Sequence, residues 1–231
     1  MNYIPLLTTI IAFIFSALLL KQLIQRRKIH QLLWTVAMIF YGITALMEFL
    51  MNPELYGLDP ILFKIYYILA APLVGLLGAG VVYLLAKRRT ANISLLCVII
   101  LSAFLIILGI FTPLDESQLK ETENLAIDLR NAVHAYPLSV RIFSILLNSI
   151  WGMILIIGAL YSFIDDRTRT YNIYLFLGAL MPMIGGFFFG ILGDPSIFFE
   201  FELAGTVFLF IGFVMSDRYV RKVSKKEEAE V

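Results

Sequence analysis

The chain has 231 residues, of which 60% are hydrophobic and 15% charged, with a mean hydropathy of +0.88. A water-soluble domain carries about 45–50% apolar and about 25% charged residues, so the composition excludes a globule dissolved in water and points to lipid as the solvent. The net charge of +1 says little by itself, and the single cysteine, Cys97, excludes an intramolecular disulfide.

A membrane helix needs about 20 mainly apolar residues. Seven stretches meet that need: 3–20, 32–51, 61–86, 92–112, 138–163, 172–192 and 199–216. They predict an all-α integral membrane bundle. Residues 1–216 form one transmembrane domain, and 217–231 form a charged cytoplasmic tail. Strands are not expected, because the runs are long and lack the alternation of a membrane barrel. The first span follows Met1-Asn2-Tyr3, which lacks the cationic start of a secretory signal peptide. Its cations come after it, in the connection Lys21–Gln31, as suits an uncleaved span with its amino terminus outside.

On span 2, Tyr41, Thr44 and Glu48 fall at i, i+3 and i+7, a polar stripe. On span 3, Lys64, Tyr67, Ala71, Gly75 and Gly78 align, and Pro72 predicts a kink. In the connection 113–137, Leu125, Leu129, Ala132, Val133 and Tyr136 recur at helical spacing, a short amphipathic helix able to cap the outer mouth. Span 5 aligns Arg141, Asn148, Gly152 and Ala159. Span 6 holds Pro182 and the GxxxG of Gly186 and Gly190, a packing motif. On span 7, Glu202 shares a face with Gly205, Thr206 and Gly212, while Glu200 lies about 200° around the helix.

Cations sort the ends of the spans. Lys21, Arg26, Arg27, Lys28, Lys87, Arg88, Arg89, Arg167, Arg169, Arg218, Arg221, Lys222, Lys225 and Lys226 share one side, fourteen of the 18 Lys and Arg. Lys64, Lys120, Arg130 and Arg141 take the other. The positive-inside rule puts the first side, and the carboxyl terminus, in the cytoplasm. Eleven of the 17 acids lie outside, so the outer face is negative.

Charged groups inside spans cost roughly 2.5–3.5 kcal/mol each at mid-membrane on insertion scales, which makes them candidates for function. Here they gather near the outer end, where snorkelling lowers the cost. An outward-facing pocket is expected, rimmed by Glu48, Lys64, Arg141 and Glu202 and lined lower down by Tyr41, Thr44, Tyr67 and Asn148. The competing expectation is an ion-pair belt that fixes helix packing. The only histidines, His30 and His134, fall on opposite sides of the membrane, which argues against an intramembrane zinc hydrolase. No metal or cofactor is expected. Span 7 has no lysine for a retinal Schiff base, and no phosphate-cradling Gly-Lys-Ser/Thr loop is present.

The stretch Phe63-Lys64-Ile65-Tyr66-Tyr67-Ile68-Leu69-Ala70-Ala71, continued by Gly75 to Leu85, resembles uncharacterised prokaryotic seven-span membrane proteins. The topology is similar to the seven-span sensor regions of some histidine kinases. That resemblance implies no defined ligand, and about 15 residues after span 7 are too few for a catalytic domain. The leading expectation is therefore a small-molecule sensor that signals to a separate cytoplasmic effector. The alternative is a small uncoupled transporter of 3+1+3 topology, since no charge is expected at mid-membrane to couple ions. An intramembrane enzyme using Glu48 and Glu202 as an acid–base pair comes third. The expected partners are the lipid bilayer, a small-molecule ligand, the effector protein and a second copy of the chain, and nucleic acid is not among them.

Overall fold

The computed structural model describes residues 1–119, 129, 131–165, 170–192 and 196–229, and all regular elements among them are helical. They are α1 (Ile4–Arg26), α2 (Ile29–Leu50), α3 (Pro60–Leu85), α4 (Arg88–Phe111), α5 (138–165), α6 (Tyr171–Leu192) and α7 (Ser196–Ala229). α5 runs from Leu138–Leu146 through a π-helical turn, Leu147–Trp151, into Gly152–Asp165. Six of these helices are long and apolar enough to cross a membrane, and Tyr171–Gly186 of α6 is a shorter apolar helix.

Six helices close a ring. α1 packs on α2, α2 on α3, α3 on α5, α5 on α6, α6 on α7, and α7 back on α1. α4 stands outside the ring against α3 and the first part of α5. Its outer face exposes Ile93, Leu96, Ile99, Phe104 and Ile107, whereas Thr35, Thr44, Glu48 and Thr206 are buried inside the ring. Apolar surface outward and polar groups inward is how a helical protein is built for lipid.

At the amino-terminal end of the bundle, Asn2 N–H donates to Asn52 Oδ1 (3.0 Å) and the Asn52 amide donates to Phe49 O (2.7 Å). Asp59 caps α3 by accepting from the N–H groups of Ile61 and Leu62, with Pro60 at the first helical position. The amphipathic helix expected from Leu125 lies largely outside the described residues. Of its described apolar positions, Leu129, Ala132 and Tyr136 are buried and Val133 is half-buried. The Tyr136 ring packs on Tyr67 (4.7 Å between centroids), and its hydroxyl donates to Gly109 O (2.7 Å). Burial, with Tyr67 beside it, pushes the Tyr136 phenol up to about 12, so it remains a neutral donor. Tyr136→Phe is expected to cost about 1 kcal/mol in a denaturation measurement, since it leaves a buried carbonyl without that donor.

The opposite end is basic, and there the helices run on beyond the expected spans. α1 does not stop near residue 20 but continues to Arg26, and α2 begins at Ile29. The turn between them is short, with Arg27 in the left-handed region (φ 49). Lys, Gln and Arg are good helix formers, so losing apolar character there does not end the helix. The buried Gln31 amide donates to Gln22 Oε1 (3.3 Å), pinning α1 to α2 beside that turn. α7 likewise continues past residue 216 to Ala229.

Small residues set the tightest contacts, though Gly186 of the GxxxG is not among them, and the surroundings of Gly190 lie outside what the structure describes. A Cβ at Gly186 would meet nothing within 4 Å. The α6–α7 seam is made instead by Gly178, Gly185, Gly205 and Gly212, where an added Cβ would lie 2.6 to 2.9 Å from the neighbouring helix. Along α3, Ala71 and Ala79 are buried, and a Cβ on Gly78 would sit 2.5 Å from Trp151 O in the π turn. At Gly80 the missing Cβ leaves room for the Trp34 indole, whose Nε1–H donates to Leu77 O (3.1 Å). Gly80→Ala is expected to expel that ring and lower stability by about 1–3 kcal/mol, read from thermal melting in lipid nanodiscs.

Candidate functional site

Two features occupy the axis of the ring. Toward the amino-terminal end lies a buried polar belt joining α2, α3 and α7. Thr206 Oγ1 donates to Tyr41 Oη (2.9 Å), and Tyr41 Oη donates to Glu202 O (3.3 Å). Thr44 Oγ1 donates back to Tyr41 O (2.9 Å), which holds it on the same helix face. The Glu48 and Glu202 side chains are immediate neighbours, and Tyr66 of α3 lies beside Glu48. Glu48 is only 1% exposed and Glu202 8%, so neither snorkels, while Glu200, two residues away, is exposed.

The cations expected on the same rim stand apart from these carboxyls. Lys64 Nζ donates to Ile110 O (3.2 Å) and Thr112 O (3.1 Å), and so caps the carboxyl-terminal end of α4, where a cation meets unpaired carbonyls. Arg141 Nη1 bonds His134 Nδ1 (3.0 Å), and Tyr67 lies beside Ser144 and Arg141. Asn148 points away from the axis. It is exposed, 3.4 Å from Ser144 Oγ, while Leu147 and Trp151 turn inward. The π turn inserts an extra residue into the helical count, so the alignment of Arg141 with Asn148 at 3.6 residues per turn fails there. The eight expected residues thus divide into the belt of Glu48, Glu202, Tyr41 and Thr44, a flank of Lys64, Arg141 and Tyr67, and Asn148 on the outside.

The second feature is a cavity of about 460 Å³ in the basic half of the bundle, lined by all six ring helices. Its deep end is apolar, formed by Phe15, Met38, Leu77, Leu209 and Phe213. Its lip carries Gln22, Arg26, Lys28, His30, Gln31 and Asn172. Lys28 is exposed, which places that lip at the bundle surface. Phe15 packs on Phe213 (5.1 Å) and Phe210 (5.7 Å), and Tyr41 lies one turn along α2 from Met38. An aromatic floor therefore separates the cavity from the carboxyl belt.

Sequence reasoning missed this cavity because most of its polar lip, Gln22 to Gln31, lies in a stretch read as a connection, and Asn172 opens a span read as apolar. Two signals were present in the sequence: Gln22 and Gln31 at the two ends of one connection, and Ser162 and Asn172 on either side of another. In the structure Asn172 Nδ2 donates to Ser162 O and Ser162 Oγ, both at 3.0 Å. The volume falls within the range of small-molecule pockets, and an apolar body with a few polar groups at one end suits an amphipathic ligand. No protein-family model, curated protein or solved structure matches the chain.

Proposed function

We propose that the chain crosses the cell membrane seven times, amino terminus outside and basic end in the cytoplasm, and carries a small amphipathic molecule across it. The cavity at the basic end supports this function more than any other observation. It is wide at one end of the axis, while the opposite end is filled by the Tyr41–Thr206–Glu202–Glu48 belt. That is the asymmetry expected of a carrier resting with its site open to one side. The cationic lip of Arg26 and Lys28 favours a ligand with an anionic head, and the Phe15–Met38–Phe213 floor favours an apolar body.

The ring gives such a carrier parts that can move. α1–α2–α3 and α5–α6–α7 form two arcs meeting at two seams, α1 with α7 and α3 with α5. Exchanging the arcs in order turns one seam into the other, the arrangement of a parallel repeat about an axis along the membrane normal. Rocking about those seams would close the cavity and part the belt. Uptake of radiolabelled aromatic and medium-chain carboxylates into proteoliposomes is the test. Wild-type protein is expected to accumulate at least one of them, and Ala159→Trp, which fills the cavity wall, is expected to reduce that uptake at least tenfold. An inactive wild type across the whole panel, or a fully active Ala159→Trp variant, would count against a carrier.

One observation favours the sensor. α7 extends 34 residues, from Ser196 to Ala229, longer than a bilayer requires, and its extension is charged. A cytoplasmic effector could dock on that extension, and truncation after residue 216 would then abolish the association without affecting uptake.

A further inference from the structure

The belt holds two carboxyl groups that no cation accounts for. Tyr41 from α2 and Tyr66 from α3 neighbour the pair. No lysine, arginine or histidine acts on either carboxyl among the described residues. Lys64 and Arg141, the nearest candidates by sequence, are engaged with the end of α4 and with His134. Glu48 Oε2 and Glu202 Oε2 are both buried without a hydrogen-bond partner. Buried acceptors left open in this way ask for a donor.

We propose that Glu48 and Glu202 form a proton-binding site, in which the two carboxyls share one proton while this end of the bundle is closed. A carboxylate only accepts hydrogen bonds, so two carboxyl oxygens can bond each other only when one of them carries hydrogen. The proton comes from water and sits on one carboxyl as O–H, donating to the other. Its return to water leaves two like charges face to face in a buried site, which repel. Because Glu48 belongs to the first arc and Glu202 to the second, a proton here ties the arcs together and its loss drives them apart. A divalent metal suits the site poorly: among the described residues no third carboxylate, histidine or cysteine joins the pair. The proposal does not depend on the cavity carrying a ligand, and a protein that transports nothing would still hold the proton.

Infrared difference spectroscopy of the full chain in lipid vesicles tests it, stepping the pH from acid to alkaline in choline chloride and again in sodium chloride. The expected result is a protonated-carboxyl C=O band that shifts on labelling with ¹³C-glutamate, disappears at alkaline pH, and is the same in both salts. Glu48→Gln and Glu202→Gln should each remove or displace it, because the remaining carboxyl then faces an amide instead of a second carboxyl with which to share a proton. The proposal fails if the folded wild-type protein shows no protonated glutamate at any pH, a result that needs no variant. It also fails if the band survives both substitutions unchanged. Sodium abolishing the band at constant pH would make this an alkali-cation site and would equally overturn the proposal.

Discussion

Gly178→Val is expected to prevent the bundle from assembling, with a loss of at least about 3 kcal/mol. A Cβ at position 178 would lie 2.6 Å from the backbone nitrogen of Leu209 and 2.9 Å from Gly205 O. Both are backbone atoms of α7, so no rotamer change relieves the clash and the whole helix must move. Gly205 cannot give way, because the space beside it is taken by Pro182 and by the Gly178 carbonyl, each 2.9 Å from where its own Cβ would be. Inserting methyl groups into a packed interface usually costs about 1–3 kcal/mol, more when the obstruction is backbone. α7 carries Glu202, Thr206, Leu209 and Phe213, so parting this seam also dismantles the belt and the cavity floor. Gly186→Ala is the control. Nothing lies within 4 Å of its added methyl, and alanine is the better helix former, so stability should hold or rise by up to about 1 kcal/mol. Denaturation of the two variants side by side in nanodiscs separates them. Equal losses would place the packing surface of α6 on its GxxxG face instead.

The contrast between Gly178 and Gly186 shows where the sequence is readable and where it stops. Hydrophobic runs announce the helices, because a lipid-facing helix must be apolar over its length whatever its neighbours are. Face assignments within a regular helix also follow from 3.6 residues per turn: Tyr41, Thr44 and Glu48 share a buried face, and Glu202 is buried while Glu200 is exposed. Which face meets which helix is a tertiary fact that periodicity does not contain. Glu48 and Lys64 lie near the same end of adjacent helices, yet Lys64 turns to the carbonyls ending α4 and Glu48 turns to α7. Asn148 fails for a local reason, since the π turn at Leu147–Trp151 has no compositional mark. The expected snorkelling is what the packing overturns: Glu48 and Glu202 lie near one end of their helices, yet the ring buries both as completely as its core leucines.

Replacing Glu48 separates the roles its side chain combines. Glu48→Ala is expected to destabilise the protein by about 3 kcal/mol. Truncating a fully buried side chain leaves a void, and large-to-small core changes cost about 2–5 kcal/mol. Glu202 and Tyr66 lose their polar neighbour, and a buried polar group left unpaired adds about 1–3 kcal/mol. Relief of a carboxyl–carboxyl contact offsets part of this, which keeps the expected sum near the lower single figure. Glu48→Gln keeps the volume, and its amide can donate to Glu202, so its stability should lie within about 1 kcal/mol of wild type. Free energies of unfolding for both variants, measured in bilayers at one pH, test the difference. If alanine and glutamine cost the same small amount, the belt contributes nothing to closing this end of the ring. If alanine is costly and glutamine is not, the glutamine variant is a folded protein with an intact belt and one carboxyl fewer. On the proposed carrier and proton site together, uptake is expected to vary with pH in the wild type and not in that variant, while the cavity, set apart from Glu48 by Phe15 and Phe213, is left unchanged.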